Sequence, residues 1–148
     1  MDDNYRLGAI AYIFDNQKRI LIDNLVTYSD NEWNFPGGGR GDSETALENI
    51  YREIKEELSI DNEDLELIGR PEKPYQYDFP EPLIREDRLY KGQLKEQFIF
   101  KFKGNKSSLK ADPKEIRAYK WVDVTDLIKY LIFPNQYNKT MEAIKDYL

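Results

Sequence analysis

The amino-acid sequence predicts an α/β fold in which a mixed β-sheet is sandwiched between α-helices. Three observations lead to this prediction: apolar, β-branched segments bounded by turn signals, one long helical pattern, and short strands followed by a helical C-terminus. The chain has 148 residues, of which 40% are hydrophobic. This size and composition predict a single domain over residues 1–148.

The N-terminal part of the chain predicts a β-hairpin followed by a loop. Residues 7–14 are rich in apolar and β-branched side chains, and residues 19–26 resume with alternating apolar positions. The Asp15-Asn16 pair between them is a turn signal. Residues 33–39 contain a proline and three glycines, which interrupt regular structure and let the backbone approach another group closely. We therefore expect a functional loop there.

Residues 43–59 give the clearest helix pattern in the sequence. Apolar side chains recur at three- and four-residue spacing, and Ser43 is the expected N-cap. One face of this helix should pack on the sheet. Further strands are predicted at residues 65–69, 97–102 and 119–124. The proline-containing stretch between the first two of these strands is expected to be irregular. Helices are predicted at residues 126–131 and 139–148.

Composition restricts the possible chemistry. The formal net charge is −6, with 22 basic and 28 acidic residues, so a surface for binding duplex nucleic acid is not expected. The chain has no Cys and no His, which excludes thiolate and imidazole metal sites and histidine bases. No signal pattern and no apolar run of about 20 residues is present. We expect a cytoplasmic protein without a membrane span.

Three carboxylates on the predicted helix indicate a metal site. Glu53, Glu56 and Glu57 are spaced i, i+3 and i+4, so they lie within one arc of roughly 100° beside the apolar stripe. Carboxylates this close repel one another unless a cation neutralises them. Mg²⁺ accepts a few carboxylates and leaves positions for water and phosphate. The alternative interpretation, for these residues alone, is a solvated acidic face.

The spacing around these carboxylates resembles the Nudix box. Five residues separate Gly38 from Glu44, and seven more lead to the segment Arg52-Glu53-Ile54-Lys55-Glu56-Glu57-Leu58-Ser59-Ile60. Ser59 stands where the motif has Gly. Because Ser accepts a positive φ less readily than Gly, an altered helix exit is expected.

The resemblance implies roles for individual residues. The metal ligands would be Glu53, Glu56, Glu57, Glu115 and the backbone carbonyl of Gly37, binding two or three Mg²⁺ ions for which Mn²⁺ can substitute. Glu56 is the first choice of catalytic base and Glu115 the second, with Glu53 a further catalytic carboxylate. For Glu115 a solvated loop charge is the alternative. The box residues Gly38, Glu44 and Arg52 are expected to be structural, Arg52 by a bidentate pair with Glu44 or Glu53.

Other segments are most similar to bacterial RNA pyrophosphohydrolases and dinucleoside polyphosphate hydrolases. They are Tyr5-Arg6, the Trp33-Asn34-Phe35-Pro36 approach to the box, Tyr77-Asp78-Phe79-Pro80, Gly92-Gln93, and Glu115 six residues before Trp121. The resemblance implies substrate contacts by Arg6, Trp33, Arg40 and Tyr77. The alternatives are core or rim packing for the two aromatic residues and ordinary surface positions for the arginines.

The implied activity is Mg²⁺-dependent hydrolysis of a phosphoanhydride bond in a nucleoside diphosphate linked to a second group. The expected substrate is a dinucleoside polyphosphate or a 5′-polyphosphorylated nucleotide, with an RNA 5′ end disfavoured by the acidic charge. Three alternatives remain open: a nucleoside triphosphate pyrophosphohydrolase, a dihydroneopterin triphosphate pyrophosphohydrolase, and a non-catalytic module that senses nucleotides. The sequence does not predict the oligomeric state.

Overall fold

The computed structural model describes residues 4–148 and contains, within them, seven β-strands and three α-helices. The strands are β1 (Tyr5–Phe14), β2 (Arg19–Leu25), β3 (Gly37–Gly39), β4 (Leu65–Gly69), β5 (Tyr75–Arg85), β6 (Arg88–Phe102) and β7 (Ile116–Asp123). The helices are α1 (Ala46–Leu58), α2 (Leu127–Tyr130) and α3 (Gln136–Ile144). None of the helices in this part of the chain has the length and apolar composition needed to cross a membrane.

Strand β1 is the centre of a mixed sheet. It runs parallel to β6 along its whole length, and β4 and β5 each pair antiparallel with β6. On its other side β1 pairs with β3 and, at Phe14 and Ile20, with β2. Strand β7 is antiparallel to β2 and closes that edge. The predicted hairpin and mixed sheet are confirmed.

The sheet separates two hydrophobic cores, each covered by helices. Helix α1 buries Ile50, Ile54 and Leu58 against the face of the sheet that carries Leu21 and Phe98. The opposite face packs against α2 and α3, whose buried residues include Leu127 and Ile144. The alternation of side chains along each strand assigns neighbouring residues to opposite cores. The sheet is therefore sandwiched between helices, as the sequence predicted.

The predicted cap of α1 is wrong by two residues. Thr45 is the N-cap, and its side chain accepts a hydrogen bond from the Glu48 amide while Glu48 bonds back to the Thr45 amide. This reciprocal capping box satisfies two amides that Ser43 does not reach, and Ser43 itself has a positive φ of 69°. The three predicted loop glycines form the short strand β3.

The proline-containing stretch was predicted to be irregular, and this is wrong. The stretch forms most of the long β5–β6 hairpin. Pro80 and Pro82 lie inside β5, where the pairing with β6 shifts between Asp78 and Leu83. A proline lacks the amide that a central strand needs, but an edge strand with a bulge tolerates it. Strand β5 pairs with β6 alone, so its prolines disturb no second strand.

Ser59 ends α1 in the conformation that glycine usually adopts there. Its φ and ψ are 59° and 31°, and its amide donates to the Lys55 carbonyl oxygen at 3.0 Å. The expected change of the helix exit is therefore wrong. The backbone conformation of Ser59 is energetically unfavourable, because a residue with a Cβ is disfavoured in the left-handed region.

We predict that Ser59→Gly raises the free energy of unfolding by about 0.5–1 kcal/mol, because glycine adopts this conformation without strain. Urea unfolding followed by circular dichroism would measure the change as a higher midpoint at an unchanged slope. Ser59→Ala is the matched control, since alanine keeps the Cβ and should give no gain. Equal stability of the two variants would contradict the prediction.

Candidate active site

Helix α1 presents the glutamates of the motif at different depths. The apolar face formed by Ile50, Ile54 and Leu58 is packed on the sheet, and the carboxylates flank it. Glu57 is buried with 4% exposure, and the side chain of Glu53 is 14% exposed. The side chain of Glu56 is 51% exposed. The same helical arc therefore carries two sheltered carboxylates and one that is open to solvent.

The guanidinium of Arg52 joins three of the predicted site residues. Its Nε and Nη2 donate to the two oxygens of Glu44 at 2.6 and 2.9 Å, which is a bidentate pair. Its Nη1 donates to Glu53 at 2.9 Å and to Glu56 at 3.2 Å. Nη2 also donates to the Gly39 carbonyl oxygen at 3.0 Å. Arg52 thus links the loop before α1, strand β3 and the metal-ligand candidates.

The glycines of β3 let α1 approach the sheet closely. A Cβ built on Gly38 would lie 2.4–2.7 Å from the carboxylate atoms of Glu53, so any side chain there would displace Glu53. The Gly37 amide donates to Glu57 Oε1 at 3.0 Å. Asn49, buried on α1, donates to the Gly39 carbonyl oxygen at 3.0 Å. These contacts orient both sheltered glutamates toward β3.

Glu115 lies in the segment before β7, which is hydrogen-bonded to the end of α1. The segment before β7 is attached to the end of α1, where the amides of Lys110 and Asp112 donate to the carbonyl oxygens of Leu58 and Glu57. Glu115 follows as an exposed residue, and its carbonyl oxygen accepts from Val26 just after β2. Its negative charge contributes to raising the pKa of both Glu53 and Glu57.

The carboxylates of the site are mutually unfavourable as charges. Burial, and after it the charge of Asp23, raises the pKa of Glu57 far above its ordinary value. Burial also raises the pKa of Glu53, against the opposing effect of Arg52. In contrast, hydrogen bonds from Arg52 lower the pKa of Glu44 to about 2. Glu44 is therefore a stable ionised partner of Arg52. Glu53 and Glu57 lack enough neighbouring positive charge to offset the effect of burial on their pKa.

The donor set suits a hard divalent cation. It offers carboxylate oxygens without sulfur or imidazole, and sheltered carboxylates that repel one another are stabilised by a cation. Within residues 4–148, no three acidic side chains form a ready ligand group as they stand. Arg52 binds Glu53 and Glu56, and the Gly37 amide binds Glu57, so these flexible side chains must turn to share an ion.

Tyr77 lines a cavity of about 820 Å³, called the aromatic cavity below because five aromatic side chains contribute to its walls. The rings of Tyr75, Tyr77 and Phe79 form successive edge-to-face pairs along β5, with centroids 6.0 and 5.9 Å apart. Tyr28 and Phe133 form another such pair at 5.3 Å. Lys95, Lys139 and Asn34 are among the polar side chains of the cavity. The size and the ring faces suit one nucleoside.

Arg6 and Arg40 line a second, polar cavity of about 760 Å³. Arg85 and Arg88, which flank the turn of the β5–β6 hairpin, line it too, together with the acidic residues Asp42, Glu44 and Glu86. Arg6 also lies near the aromatic cavity, because its charge lowers the pKa of Tyr77 and of Lys95. The two predicted arginines therefore share one cavity, and Tyr77 belongs to the other.

Trp33 lines neither of these two cavities. It is 7% exposed, its ring packs edge-to-face on Tyr130 at 5.7 Å, and its carbonyl oxygen accepts from Gln136. The substrate contact predicted for Trp33 finds no support in this position. Sequence reasoning missed Asp23 and Tyr28. Asp23 carries a detectable signal, since a charged residue occurs there in the apolar strand pattern of β2.

Comparison with known proteins identifies the family. The sequence matches the NUDIX domain over residues 4–144. The chain belongs to the Nudix family. It is a Nudix pyrophosphohydrolase, a hydrolase that acts on phosphoanhydride bonds. Members of this family generally use divalent metal ions, in agreement with the donor set described above.

Similar proteins include the RNA pyrophosphohydrolase of Francisella tularensis, which is 28% identical over 97% of this chain and 96% of the relative. The RNA pyrophosphohydrolase of Francisella philomiragia is 27% identical with the same coverage. Among solved structures, the E. coli dihydroneopterin triphosphate pyrophosphohydrolase superposes with a TM-score of 0.74 at 18% identity, covering 96% of this chain and 98% of that one. A C. elegans Ap4A hydrolase gives 0.70 at 17%, covering 97% and 99%. These structural likenesses show the fold.

The buried carboxylates predict a pH dependence of stability in the absence of divalent cations. The pKa values of Asp23 and Glu57 are both raised by burial from 3.8 and 4.5, so the folded protein retains protons that the unfolded chain releases above about pH 4.5. Above about pH 4.5 the folded state therefore binds more protons than the unfolded state. The free energy of unfolding should therefore fall as the pH rises, by up to about 1.4 kcal/mol per pH unit for each group.

Urea unfolding in EDTA at about pH 5, 7 and 9 would measure this slope. Glu57→Gln cannot release a proton at this position and should flatten the dependence. A wild-type free energy of unfolding that stays constant or rises across the range would contradict the assignment of raised pKa values.

Proposed function

We propose that this Nudix hydrolase cleaves a nucleoside polyphosphate, with a dinucleoside polyphosphate as the preferred substrate class. The observation that supports this choice is a pair of cavities connected to the motif residues: the arginine-lined cavity includes Glu44, which binds Arg52, and the cavity at Tyr77 includes Lys95, whose pKa is influenced by Glu57. A phosphate chain between two nucleosides needs both kinds of surface, one for a base and one for anionic oxygens.

Mg²⁺ is the proposed cation, and Mn²⁺ should substitute for it. The ligands would be Glu53, Glu56, Glu57 and Glu115, with the backbone carbonyl oxygen of Gly37. When bound, the cation supplies charge neutralisation at the phosphate oxygens and makes water a better nucleophile. These proposed ligands come from α1, from β3 and from the residue just before β7.

The proposed roles of the chain's own residues follow from their exposure. Glu56 is the most exposed of the three motif glutamates Glu53, Glu56 and Glu57, and it accepts the proton of the water that attacks phosphorus, as the phosphoanhydride bond breaks and the second phosphate leaves. Glu115, also exposed, is the second candidate for this proton. Arg52 is a positioning residue, because its bonds to Glu44 and Gly39 fix the guanidinium so that its Nη1 faces Glu53 and Glu56.

Substrate orientation depends on the two cavities. We assign one nucleoside to the aromatic cavity, where a base can stack on the ring of Tyr77. The phosphates then extend toward Arg6 and Arg40 in the polar cavity. Lys95 lines the aromatic cavity, and the charges of Glu57 and Asp23 oppose the lowering of its pKa by burial.

A 5′-polyphosphorylated RNA end is the second candidate substrate. The similar Francisella proteins are RNA pyrophosphohydrolases, and the arginine-lined cavity could accommodate a further nucleotide. The net charge of −6 opposes long-range attraction of a polynucleotide. Binding of the RNA body would weaken steeply with added salt, whereas binding of the terminal nucleotide alone would respond weakly.

We predict Mg²⁺-dependent hydrolysis that is lost in Glu56→Gln by several orders of magnitude, because the substitution removes both a ligand and a proton acceptor. The assay separates products by chromatography for diadenosine polyphosphates, nucleoside triphosphates, dihydroneopterin triphosphate, ADP-ribose and a 5′-triphosphorylated oligonucleotide. Highest kcat/KM on the diadenosine polyphosphates is the expected result.

Glu48→Gln is the matched control on the same helix. Glu48 is exposed, lies outside the site, and glutamine preserves its capping bond to the Thr45 amide. Its activity should equal that of the wild type. Highest turnover of the oligonucleotide would replace the preferred substrate with the RNA end, and nucleotide binding without turnover would indicate a sensing module.

We further predict that Tyr77→Leu raises KM for a diadenosine polyphosphate about tenfold with little change in kcat, because one stacking surface is lost. Tyr77→Phe retains the ring and should behave as wild type. Tripolyphosphate, which has no nucleoside, provides the internal control. A similar KM increase for tripolyphosphate would show that Tyr77 does not act on the base.

A further inference from the structure

Asp23 is a buried carboxylate that the Nudix box does not include. It lies on β2, two residues after Leu21, on the same side of the strand and hence on the face covered by α1. Its exposure is 1%. Neither of its two carboxylate oxygens has a hydrogen-bond partner in the part of the chain that the structure describes. A carboxylate buried in this way is unstable unless a cation or a proton joins it.

The surroundings of Asp23 place it beside the proposed metal ligands. Its amide and carbonyl pair with Asn34 at 2.8 and 2.9 Å, which starts the segment that continues to Gly37. The Gly37 amide in turn donates to Glu57. The charge of Asp23 is, after burial, the largest cause of the raised pKa of Glu57. The unpartnered oxygens therefore face the region between β2, β3 and α1.

Lys95 does not supply the missing partner. Its charge lowers the pKa of Asp23, but the Asp23 oxygens accept no hydrogen bond from it. Burial and Arg6 lower the pKa of Lys95 itself. The charges around Asp23 thus comprise Glu57 and the weakened cation Lys95, and a negative excess remains there.

Asp15 shows what a structural buried aspartate looks like in the same protein. It is 7% exposed at the end of β1, and its Oδ1 accepts from the amides of Gln17 and Arg19 at 2.8 Å. Its Oδ2 accepts from Lys106 at 2.5 Å. Every oxygen of Asp15 is therefore partnered, and its pKa is lowered despite burial. Asp23 has the same residue type and similar burial without any of these bonds.

We infer that Asp23 is a further oxygen ligand of the divalent cation, bound jointly with Glu57. This inference rests on the proposed metal-dependent function. It makes the site in this chain extend from α1 across to β2, so that the cation joins the helix to the strand. An asparagine at this position would keep the shape and remove the charge that the cation needs.

The test is isothermal titration of the full chain with Mn²⁺ in the absence of nucleotide, comparing wild type, Asp23→Asn and Asp15→Asn. Asp23→Asn should weaken Mn²⁺ binding about 10- to 100-fold. In EDTA it should also raise the Tm, since an unpartnered buried carboxylate is removed. Asp15→Asn should leave Mn²⁺ affinity unchanged and lower the Tm, because its bonds are lost.

Mn²⁺ affinity of Asp23→Asn within twofold of wild type would overturn the inference, as would a wild-type chain that binds no Mn²⁺. If Asp23→Asn fails to fold, Asp23→Glu, which keeps the carboxylate, tests the same ligand role: Mn²⁺ affinity near that of the wild type is expected, and a 10- to 100-fold loss would contradict it. The proposed hydrolysis fails separately, if wild type binds Mn²⁺ but cleaves no substrate.

Discussion

The fork of hydrogen bonds from Arg52 determines how the motif is arranged. One guanidinium contacts Glu44 before α1, Glu53 and Glu56 on α1, and the carbonyl oxygen of Gly39 in β3. Because a guanidinium is planar and always charged, these acceptors must lie near one plane around it. The entrance of the helix, its acidic arc and the strand under it are therefore positioned together by one side chain.

One arginine cannot balance the carboxylates that the fold collects. Glu44 takes the bidentate edge of Arg52, and the remaining edge is shared by Glu53 and Glu56. Among residues 4–148, Glu57 and Asp23 receive no ion pair, and burial raises the pKa of both. An oxygen site with excess negative charge in a sheltered position favours a divalent cation over a water-filled cleft. A cation held at this site would let an acidic protein bind a substrate that is itself an anion.

The sequence predicted the parts of the structure that follow from local pattern. The alternation in β1 and β2, the apolar stripe of α1 and the spacing of the box led to the sheet, the helix and the motif residues. The long β5–β6 hairpin was missed because Pro80 and Pro82 are unfavourable in strands, and only the edge position of β5 makes them tolerable. A charged residue in the apolar pattern of β2 marks Asp23 as unusual, but its role was missed because that role depends on which residues face it, and one strand's pattern does not contain that information.

The site exists because β1 and β2 separate. After their contact at Phe14 and Ile20, the segment before α1 inserts between them, with Pro36 bonded to Ala11 and Asn34 bonded to Asp23. The inserted strand β3 is all glycine, so no side chain fills the space where Glu53 and Glu57 approach the sheet. Closing the gap with a regular β1–β2 hairpin would pair the backbone equally well but leave no room for sheltered carboxylates. Gly38 is thus a requirement of the site, because a Cβ there would meet Glu53, whereas Gly37 is a requirement of the fold, because a Cβ there would lie 2.2 Å from the Ala9 carbonyl oxygen of β1.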